Sequence, residues 1–595
     1  MFIENNTKRR AERTLEDWVA PDCHGLNFFT IDDSLKSLLE LYLPEDLRIH
    51  LSPVFEKLGG IAGGHLDDLS RMADRHVPVL HSRDAKGRDN EWIEFHPSYH
   101  EMEKIAFADF GMHCMSHKAG VHGWPDKIPP MAKYVFTYLF SQSEFGLMCP
   151  VSVSDTSYGM LAKHGSAEAL GLFGDRMLSQ NMDEIYMGAQ FMTEKTGGSE
   201  VANLTVTAKF EDGVWRLYGD KWFCSCAGAE VALVLARPEG APAGNAGLAI
   251  FAVPRHLEDG SYNDYRIVRL KNKMGTKSMA SGEIVFDGAI GYAFGDVGAK
   301  ANPGLKQMMD QVVMSRLSHG VRAAGMMRRC LNEALVTAQN REVFGELIIQ
   351  KPLLRRQLLK LMLPTEQALS MFMHVAVQLD ASDKGNKAAI RLNRILTPLL
   401  KYHSCRDNVD VAGGSLEVRG GNGFIEDWVN AKLVRDAYTG LLWEGTSNIN
   451  ALDIIGRAVG KVGAHIDLAD DLKRRVNASD ALPGQYAGEL IGLIDRARDF
   501  AGEVAQTNNE TLARQASNGL YHVTTATLFA EEGAALGKKG MDARRLLLSR
   551  LVRDTKLVPS DPLIAGETAF EIQAGNRLLD VMPVTLEEAT DLLQL

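Results

Sequence analysis

The sequence predicts an α+β fold in which a β domain lies between helical domains. Apolar residues recur with helical spacing up to about residue 185, alternate in short runs from about 186 to 300, and return to helical spacing after 301. At 595 residues the chain is too long for one hydrophobic core. We therefore predict four parts: a helical N-terminal domain (1–185), a central β-sandwich or barrel (186–300), a helical bundle (301–462) and an additional C-terminal helical domain (463–595).

The helical parts rest on segments such as 134–147, 308–336 and 353–379, where apolar residues recur every three or four positions. Two further amphipathic stretches, 486–504 and 511–536, predict the additional domain. Glycine pairs predict turns between helices, because glycine is a frequent breaker of regular structure. These pairs are Gly59 with Gly60, Gly63 with Gly64, Gly413 with Gly414, and Gly420 with Gly421.

The β part rests on alternating runs at 204–208, 231–235, 248–253 and 283–286, with turn residues between them. Cys224 and Cys226 are two positions apart, so both would lie on one face of a strand. Since no second cysteine cluster accompanies them, we interpret them as packing residues rather than metal ligands.

Composition and charge narrow the functional classes. The net charge of -11 argues against a general nucleic-acid binder, which would carry a basic excess. No apolar run approaches the roughly 18 residues of a membrane span. Residues 1–18 are charged, lack the apolar core of a secretion signal, and contain three glutamates that argue against a transit peptide. Seven cysteines, an odd number, fit a reducing compartment. We therefore expect a cytoplasmic protein, and the lack of a long apolar run predicts that it has no membrane partner.

The segment 443–450, Trp-Glu-Gly-Thr-Ser-Asn-Ile-Asn, is the strongest candidate for a catalytic site. Glu444 stands between Trp443 and Gly445 after an apolar run, and desolvation by an apolar wall raises the pKa of a carboxyl group. A raised pKa suits a general base that takes a carbon-bound proton near neutral pH. Gly445 would let the backbone approach a ligand closely. The alternative is an ordinary helix start, with Thr446 as the N-cap and Glu444 as an incidental neighbour.

Four further segments suit a planar or phosphorylated ligand, although each has an ordinary structural alternative. The glycine pair with flanking hydroxyls at 192–200 can present N–H groups to an anion, or form a hairpin turn. The aromatic strand at 221–225 can stack on a planar cofactor, or belong to the core. Arg341 in segment 341–345 can bind a phosphate, or end a helix. Three glycines in 420–424 permit close approach to a pyrophosphate, or form a plain loop.

In this order along the chain, these segments resemble the acyl-CoA dehydrogenase family of flavoproteins. The resemblance covers about residues 90–460 and rests on the MTE…GGS segment, KWF, LKNKMGTKSMASGEIVFDGA at 270–289, REVFG, GGNGF and WEGTSNIN. It implies the acyl-CoA dehydrogenase fold, an FAD cofactor and an acyl-CoA substrate. Glu444 would remove the α-proton of the thioester, and the β-hydrogen would pass as hydride to the flavin. Hydrogen bonds to the thioester oxygen, one of them from the Glu444 backbone N–H, would stabilise the enolate.

The resemblance also implies roles for residues of the other motifs. Met192, Thr193 and Ser199 would lie along the flavin and the pantetheine of the substrate, and Phe223 and Ser225 would flank the flavin ring. Thr446 and Asn448 would touch the adenosine half, while the flavin of a neighbouring subunit would be reached by Arg341, Phe344, Gly420 and Gly421. Such contacts imply a homo-oligomer, usually a tetramer. An electron-transferring flavoprotein is an expected partner.

The sequence departs from the family pattern at three positions. Pro352 and Glu417 stand where the family often has glutamines. The absence of those glutamines would weaken the flavin contacts between subunits. Arg316 matches a CoA-contacting arginine, but the aspartate usual three residues before it is Val313. We therefore expect the CoA nucleotide to be held differently, or the substrate to differ from a standard acyl-CoA.

These departures, the additional domain and the segment PVLHSRDAKGRDNEWIEFHPSYHEM at 78–102 resemble the AidB-type branch, which is linked to the DNA alkylation response. Members of that branch carry FAD, form tetramers, show weak isovaleryl-CoA dehydrogenase activity and bind duplex DNA through a basic C-terminal domain. Here residues 466–595 contain fourteen Lys or Arg and twenty Asp or Glu, a net charge of −6, so charge does not support DNA binding. We interpret the basic stretch as a solvated helix face; it comprises Arg544, Arg545, Arg550, Arg553 and Lys556.

The sequence therefore predicts an FAD-dependent acyl-CoA dehydrogenase. The alternative is an AidB-like flavoprotein that binds DNA or protects it from alkylation and has only weak dehydrogenase activity. A third possibility is another flavin reaction on the same scaffold, such as that of a monooxygenase or a nitroalkane oxidase. Glutamate rather than aspartate at position 444 argues against the nitroalkane oxidase.

Overall fold

A computed structural model describes residues 19–559, 561, 563 and 568–594. The described chain divides into two compact units. The first unit comprises the residues up to Gly64, Pro130–Ser143 and those from His319 onward, and the second comprises His65–Pro129 and Glu144–Ser318. The segment 1–18, interpreted above as neither a secretion signal nor a transit peptide, lies outside the described residues. No helix in the described ranges has both the length and the apolar content needed to cross a membrane.

The order of elements confirms the α+β prediction. The N-terminal region contains α1 (Asp33–Tyr42), α2 (Glu45–Gly63), α3 (His65–Arg75), β1 (Val79–Arg83), β2 (Asp89–Glu94), α4 (Pro97–Glu103), α5 (Pro130–Phe140), α6 (Met148–His164) and α7 (Ala167–Met177). The β region contains β3 (Gly188–Phe191), β4 (Thr207–Glu211), β5 (Val214–Ser225), β6 (Val231–Pro238), β7 (Ala249–Pro254), β8 (Tyr265–Leu270) and β9 (Ser281–Ala293).

Helices dominate the rest of the chain. The bundle region contains α8 (Gly304–Asn340), β10 (Glu342–Val343), β11 (Glu346–Leu347), α9 (Pro352–Asp383), α10 (Lys387–Arg419), α11 (Gly421–Phe424), α12 (Val429–Leu442) and α13 (Ser447–Leu452). The C-terminal region contains α14 (Ala464–Ala478), α15 (Gly484–Gln506), α16 (Ala513–Lys538), α17 (Arg545–Val552), α18 (Ala569–Leu578) and α19 (Leu586–Leu592).

The strands of the second unit close into a barrel. β6 pairs with β4 and β7, β4 with β5, β5 with β9, and β9 with β7, while β3 joins β6 and β8 joins β9. Closure of this ring removes the exposed edges that an open sheet would present. One apolar cluster consists of strand residues such as Phe251 and Ile284, together with Cys224 and Cys226, which confirms the packing role of the two cysteines. The opposite face of the sheet packs against α6, α7 and Met308 of α8.

The N-terminal region is mainly helical, as predicted, and it also contains an antiparallel hairpin of β1 and β2. Asp84 organises the turn, since its carboxylate accepts hydrogen bonds from the backbone N–H groups of Lys86 and Arg88. Gly87 follows at a φ of 77°, in the left-handed region that favours glycine. The two strands have five and six residues, too few for a helical or alternating pattern to stand out.

The glycine pairs near residue 60 do not form turns as predicted. Gly59, Gly60 and Gly63 lie inside α2, and only Gly64 stands at its end. A side chain at Gly59 would collide with Asn27 and Phe29, and one at Gly63 with the backbone of Leu26. These glycines therefore serve close packing of the helix against the loop at 26–29.

The predicted break at Gly413 and Gly414 is also wrong, because α10 continues through both residues to Arg419. A Cβ atom at Gly414 would lie 2.5 Å from Leu361 Cδ2 on α9. The missing side chain thus lets two long helices approach closely. The helix ends at Gly420, whose φ is 71°.

A buried ionic network in the first unit joins the C-terminal helices to α9 and to α1. Arg545 of α17 binds Glu366 of α9 (Nη1–Oε2 3.0 Å) and Glu532 of α16 (Nε–Oε2 2.7 Å), and the Tyr42 hydroxyl donates to Glu532 at 2.7 Å. Burial would raise the pKa of Glu366, but the guanidinium groups of Arg328 and Arg545 outweigh it and lower the pKa to about 2. The interpretation of Arg545 as part of a solvated face is wrong, since the residue is only 2% exposed. The buried carboxylates of Glu366 and Glu532 on neighbouring helices need a cation beside them, because an unpaired buried charge is strongly destabilising.

Candidate active site

Glu444 lies in the short connection between α12 and α13 of the first unit, in a backbone conformation that glutamate rarely adopts. Its φ is 54°, in the left-handed region, and Gly445 follows at 91°. For an L-residue this region costs about 1–2 kcal/mol, and such strain is concentrated at functional sites. The Glu444 side chain is half-buried.

The backbone after Glu444 is fixed by two buried side chains. The carbonyl oxygen of Gly445 accepts hydrogen bonds from Lys401 Nζ and from Asn450 Nδ2, the latter at 2.7 Å. Asn450 Nδ2 also donates to the Thr446 carbonyl at 3.0 Å. The sequence prediction assigned no role to either side chain. Asn450 is inside the motif, whereas Lys401 lies 44 positions before Gly445 and gives no local signal.

Trp443 and Thr446 complete the surroundings of Glu444. The Trp443 ring packs against the His319 ring at a centroid distance of 5.6 Å, with the rings inclined at 75°. Thr446 does precede a helix, as the simpler alternative supposed, but its side chain forms no capping hydrogen bond. The side chains of Thr446 and Asn448 are exposed and can contact a ligand.

The REVFG and GGNGF motifs lie side by side in the first unit. Arg341 follows the end of α8, which confirms the predicted break, and β10 and β11 form a hairpin whose tip is Phe344 at a φ of 55° and Gly345 at 83°. Arg341 Nη1 would lie 3.2 Å from a Cβ atom at Gly420. The glycine therefore leaves room beside a guanidinium group, and Gly421 begins the short α11.

Large apolar side chains are exposed in these motifs and at the start of α9. Phe344 is 94% exposed, Phe424 is 80% exposed and Leu353 is 83% exposed. Exposed apolar residues that occur together indicate a surface that contacts another molecule. The contacts between subunits expected at Phe344 fit this exposure.

In the second unit, the segment that contains Met192 and Thr193 is attached to β5. The Trp222 backbone N–H donates to the Thr193 carbonyl at 2.9 Å, and Lys221 Nζ donates to the Met192 carbonyl at 3.2 Å. Lys221 also forms a buried ion pair with Glu194 at 2.8 Å. The structure thus places two motifs next to each other that lie about 30 residues apart in the sequence.

The outer side of β5 presents an aromatic surface. Phe223 is 56% exposed, and Lys271 Nζ lies 3.1 Å from the centre of the Trp222 ring and 4.9 Å from that of Phe223. Ser225, at the end of the strand, is partly exposed, and Ser199 is exposed in the loop after β3. An exposed ring with a cation nearby, and the Ser225 hydroxyl two residues further along the strand, suits a planar, electron-poor ring system such as flavin.

Arg316, the predicted CoA-binding residue, is only 5% exposed within α8 of the second unit, and Val313 is partly exposed. Contact with CoA through Arg316 therefore stays a prediction. Within the described residues, no group of three or more His, Cys, Asp and Glu side chains is arranged to hold a metal ion.

Family models match three consecutive parts of the chain. The N-terminal domain of the adaptive response protein AidB matches residues 19–184, the middle domain of acyl-CoA dehydrogenase matches 189–289, and its C-terminal domain matches 302–460. Acyl-CoA dehydrogenase family member 11 of Caenorhabditis elegans is 31% identical over 73% of this chain and 71% of its own length. Putative acyl-CoA dehydrogenase AidB of Escherichia coli is also 31% identical, over 69% of this chain and 75% of its own length.

Solved structures extend the similarity to most of the chain. The Caenorhabditis elegans ACDH-11 structure in complex with C11-CoA aligns with a TM-score of 0.80 at 25% identity, covering 94% of this chain and 95% of that one. Butyryl-CoA dehydrogenase from Megasphaera elsdenii aligns with a TM-score of 0.53 at 17% identity, covering 66% of this chain and 96% of that one. The second alignment supports the fold alone.

Proposed function

Because the chain belongs to the acyl-CoA dehydrogenase family, we propose that it is an FAD-dependent enzyme that removes hydrogen from the α and β carbons of an acyl-CoA thioester, with Glu444 as the base. The observation that carries this proposal is the strained backbone at Glu444, held by Lys401 and Asn450 through the Gly445 carbonyl. A fold keeps such strain where orientation matters more than stability. The C11-CoA complex of the related ACDH-11 supports an acyl-CoA as the substrate class.

The residues of this chain would act on the weakly acidic α-proton. The Glu444 carboxylate takes that proton, and the Glu444 backbone N–H donates to the thioester oxygen, which stabilises the developing negative charge. When bound, FAD supplies the acceptor for the β-hydrogen, which leaves as a hydride while the α,β double bond forms. Lys401 would hold the Gly445–Thr446 peptide, one residue beyond Glu444, and so limit movement of the turn that carries the carboxylate.

We propose the flavin-binding residues by matching position. In the first unit they are Arg341, Phe344, Gly420, Gly421, Thr446 and Asn448. In the second unit they are Met192, Thr193, Ser199, Phe223 and Ser225. The exposed Phe223 ring and the open space beside Arg341 at Gly420 support these assignments. Ser199 and Arg316 are proposed to bind the CoA substrate.

We propose a homotetramer, with an electron-transferring flavoprotein as the electron acceptor. The exposed side chains of Phe344, Phe424 and Leu353 support an association between copies through the hairpin and the start of α9. A cytoplasmic location stays a prediction, supported by seven cysteines that are all free thiols. We also propose the four domains predicted from the sequence. The residue ranges that the three family models match support the first three of them, 1–185, 186–300 and 301–462.

DNA binding is not favoured by the C-terminal basic stretch. Arg544 pairs with Asp542, Arg550 with Asp554, and Arg553 with Asp554 and Glu489. Cations already neutralised by carboxylates release few counterions from DNA. We therefore do not propose a nucleic-acid partner.

The test is anaerobic bleaching of the flavin by a panel of straight and branched acyl-CoA thioesters. At least one thioester should bleach the flavin of the wild-type protein. Glu444→Gln should retain bound flavin and reduce the bleaching rate by about 10²- to 10⁴-fold, the usual contribution of a general base. No bleaching by any thioester would contradict the proposed activity, and an unimpaired Glu444→Gln variant would contradict the proposed base.

A further inference from the structure

The first unit contains a cavity of about 1890 Å³ that is lined neither by Glu444 nor by any of the proposed flavin-binding residues. Its walls come from α9, α10, α15, α16 and α18, from the end of α17 and from the π-helical segment Arg553–Leu557 that follows it, so the C-terminal region builds a large part of it. Pro352 and Glu417, which replace the family's flavin-contacting glutamines, also belong to its lining, as does Leu353, a proposed contact between copies, so part of the cavity adjoins the proposed interface. Pockets for small molecules usually measure about 300–1,000 Å³, so a ligand of nucleotide size fits.

Two buried side chains in the lining offer hydrogen-bond acceptors that remain unused. Gln367 is 1% exposed; its Nε2 donates to Thr525 Oγ1 at 2.7 Å and to His522 Nδ1 at 3.2 Å, but its Oε1 has no partner within the described residues. His403 is 4% exposed, and its Nε2 likewise lacks a partner there. Leaving a buried polar atom unsatisfied costs about 1–3 kcal/mol, so the arrangement calls for a ligand that donates hydrogen bonds.

The protonation states of the two histidines support this assignment. Burial lowers the pKa of His403 well below its usual range and that of His522 to about 3, so both rings are neutral at physiological pH. His403 also stacks on Tyr521 at a centroid distance of 3.9 Å, which fixes the ring plane. The His403 ring forms a hydrogen bond to the Ser517 backbone. A neutral imidazole has one donor and one acceptor nitrogen, so Nε2 is left as the acceptor.

The lining of the cavity also carries an excess of cations. Six cationic side chains line it, against four carboxylates: the cations are Arg355, Arg356, Lys360, Arg406, Arg496 and Lys556, and the carboxylates are Asp407, Asp410, Glu417 and Glu571. Arg355 donates to Asn576 at 2.8 Å, and Arg356 lies 3.9 Å from Glu571. The other four cations form no ion pair with any described residue. Burial raises the pKa of Asp407 to about 7, which reduces the opposing negative charge.

We propose that this cavity is a second ligand site, which binds a phosphorylated small molecule of nucleotide size. Its phosphate groups contact the guanidinium and ammonium groups of the lining, and its uncharged end donates hydrogen bonds to His403 Nε2 and Gln367 Oε1. Several cations from different helices match a phosphate better than a single carboxylate, because each oxygen can take its own donor. Neither Glu444 nor any proposed flavin-binding residue lines this site, so the proposal does not depend on the acyl-CoA chemistry.

The experiment is calorimetric titration of the full-length, flavin-loaded protein with ADP, UDP and inorganic pyrophosphate. ADP or UDP should bind at one site per chain without releasing flavin. Lys556→Gln and Arg406→Gln should each raise the Kd about tenfold, the usual effect of one charge-assisted hydrogen bond. Both residues are exposed, so these changes leave the fold intact, and Lys461→Gln, an exposed lysine of the same unit outside the cavity, should have no effect.

A second pair of measurements tests the buried end of the site. His403→Phe keeps a ring against Tyr521 but removes the acceptor, so it should weaken nucleotide binding and leave pyrophosphate binding unchanged. Failure of both nucleotides to bind at millimolar concentration would overturn the proposal. So would release of flavin on binding, or Lys556→Gln behaving like Lys461→Gln. Pyrophosphate binding as tightly as the nucleotides would overturn the role of His403 and Gln367.

Discussion

Replacement of Glu444 by glycine should abolish activity without destabilising the protein. The residue adopts a φ of 54°, and glycine releases the cost of about 1–2 kcal/mol that an L-residue carries in this region. Against this gain, glycine adds about 0.4–1 kcal/mol of conformational freedom to the unfolded chain. The free energy of unfolding should therefore stay within about 1 kcal/mol of the wild-type value or rise. Loss of the base should reduce turnover by about 10²- to 10⁴-fold, equivalent to about 3–5 kcal/mol.

The two quantities need separate assays on the flavin-loaded protein. Urea denaturation followed by fluorescence gives the free energy of unfolding, and the rate of anaerobic flavin bleaching by an accepted acyl-CoA gives the activity. Glu444→Gln is the matched control for chemistry, because it retains the side-chain size and the backbone strain. Asn508→Gly is the control for the backbone, since Asn508 has a φ of 50° in the helical C-terminal region and no proposed catalytic role.

Two results would refute this reasoning. If Glu444→Gly keeps activity within tenfold of the wild type, Glu444 is not the base. If Glu444→Gly lowers the free energy of unfolding by more than about 2 kcal/mol, the Glu444 side chain stabilises the fold. The positive φ would then not be a destabilising strain that is retained for function. Loss of flavin from either variant would show that the motif holds the cofactor instead.

Three further predictions concern the helices of the first unit, and urea denaturation checks each. Arg545→Ala should lower the free energy of unfolding by about 3–5 kcal/mol because it leaves buried carboxylates unpaired, whereas Arg544→Ala, at a more exposed pair, should cost about 1 kcal/mol or less; equal effects would contradict the buried network. Gly414→Ala should destabilise by about 1–3 kcal/mol through overpacking, whereas Gly413→Ala, with open space around it, should stabilise by about 0.5–1 kcal/mol. The pKa of Asp407, raised to about 7, exceeds its unfolded value, so the stability it contributes is lost as pH rises from about 4 to 7. Because the group is partly exposed to solvent, Asp407→Asn should be more stable than the wild type by only about 1–2 kcal/mol at pH 8 and similar to it at pH 4, and an unchanged difference between the two pH values would contradict the shift.

Much of the candidate site could be proposed from the sequence because its residues are adjacent there. Trp443, Glu444 and Gly445 form one segment, and the break at Arg341 follows directly from the end of a periodic helix. Lys401, by contrast, was missed because its contact with Gly445 joins residues 44 positions apart. From the sequence, a lysine within a helical pattern is expected to face solvent. Only the structure shows that Lys401 is buried and binds the Gly445 carbonyl.

The sequence alone determined the order of helical and β regions, the family resemblance and the glutamate in its motif, since each depends on residues that are close along the chain. Tertiary structure decided which glycines turn the chain and which allow helices to touch: Gly414 lies within α10 against Leu361, whereas Gly420 ends that helix at a positive φ. It also decided that Arg545 is buried, that the β strands close into a ring, and that the C-terminal helices line a cavity together with α9 and α10. Burial and close approach are properties of distant segments brought together, and local periodicity carries no information about them.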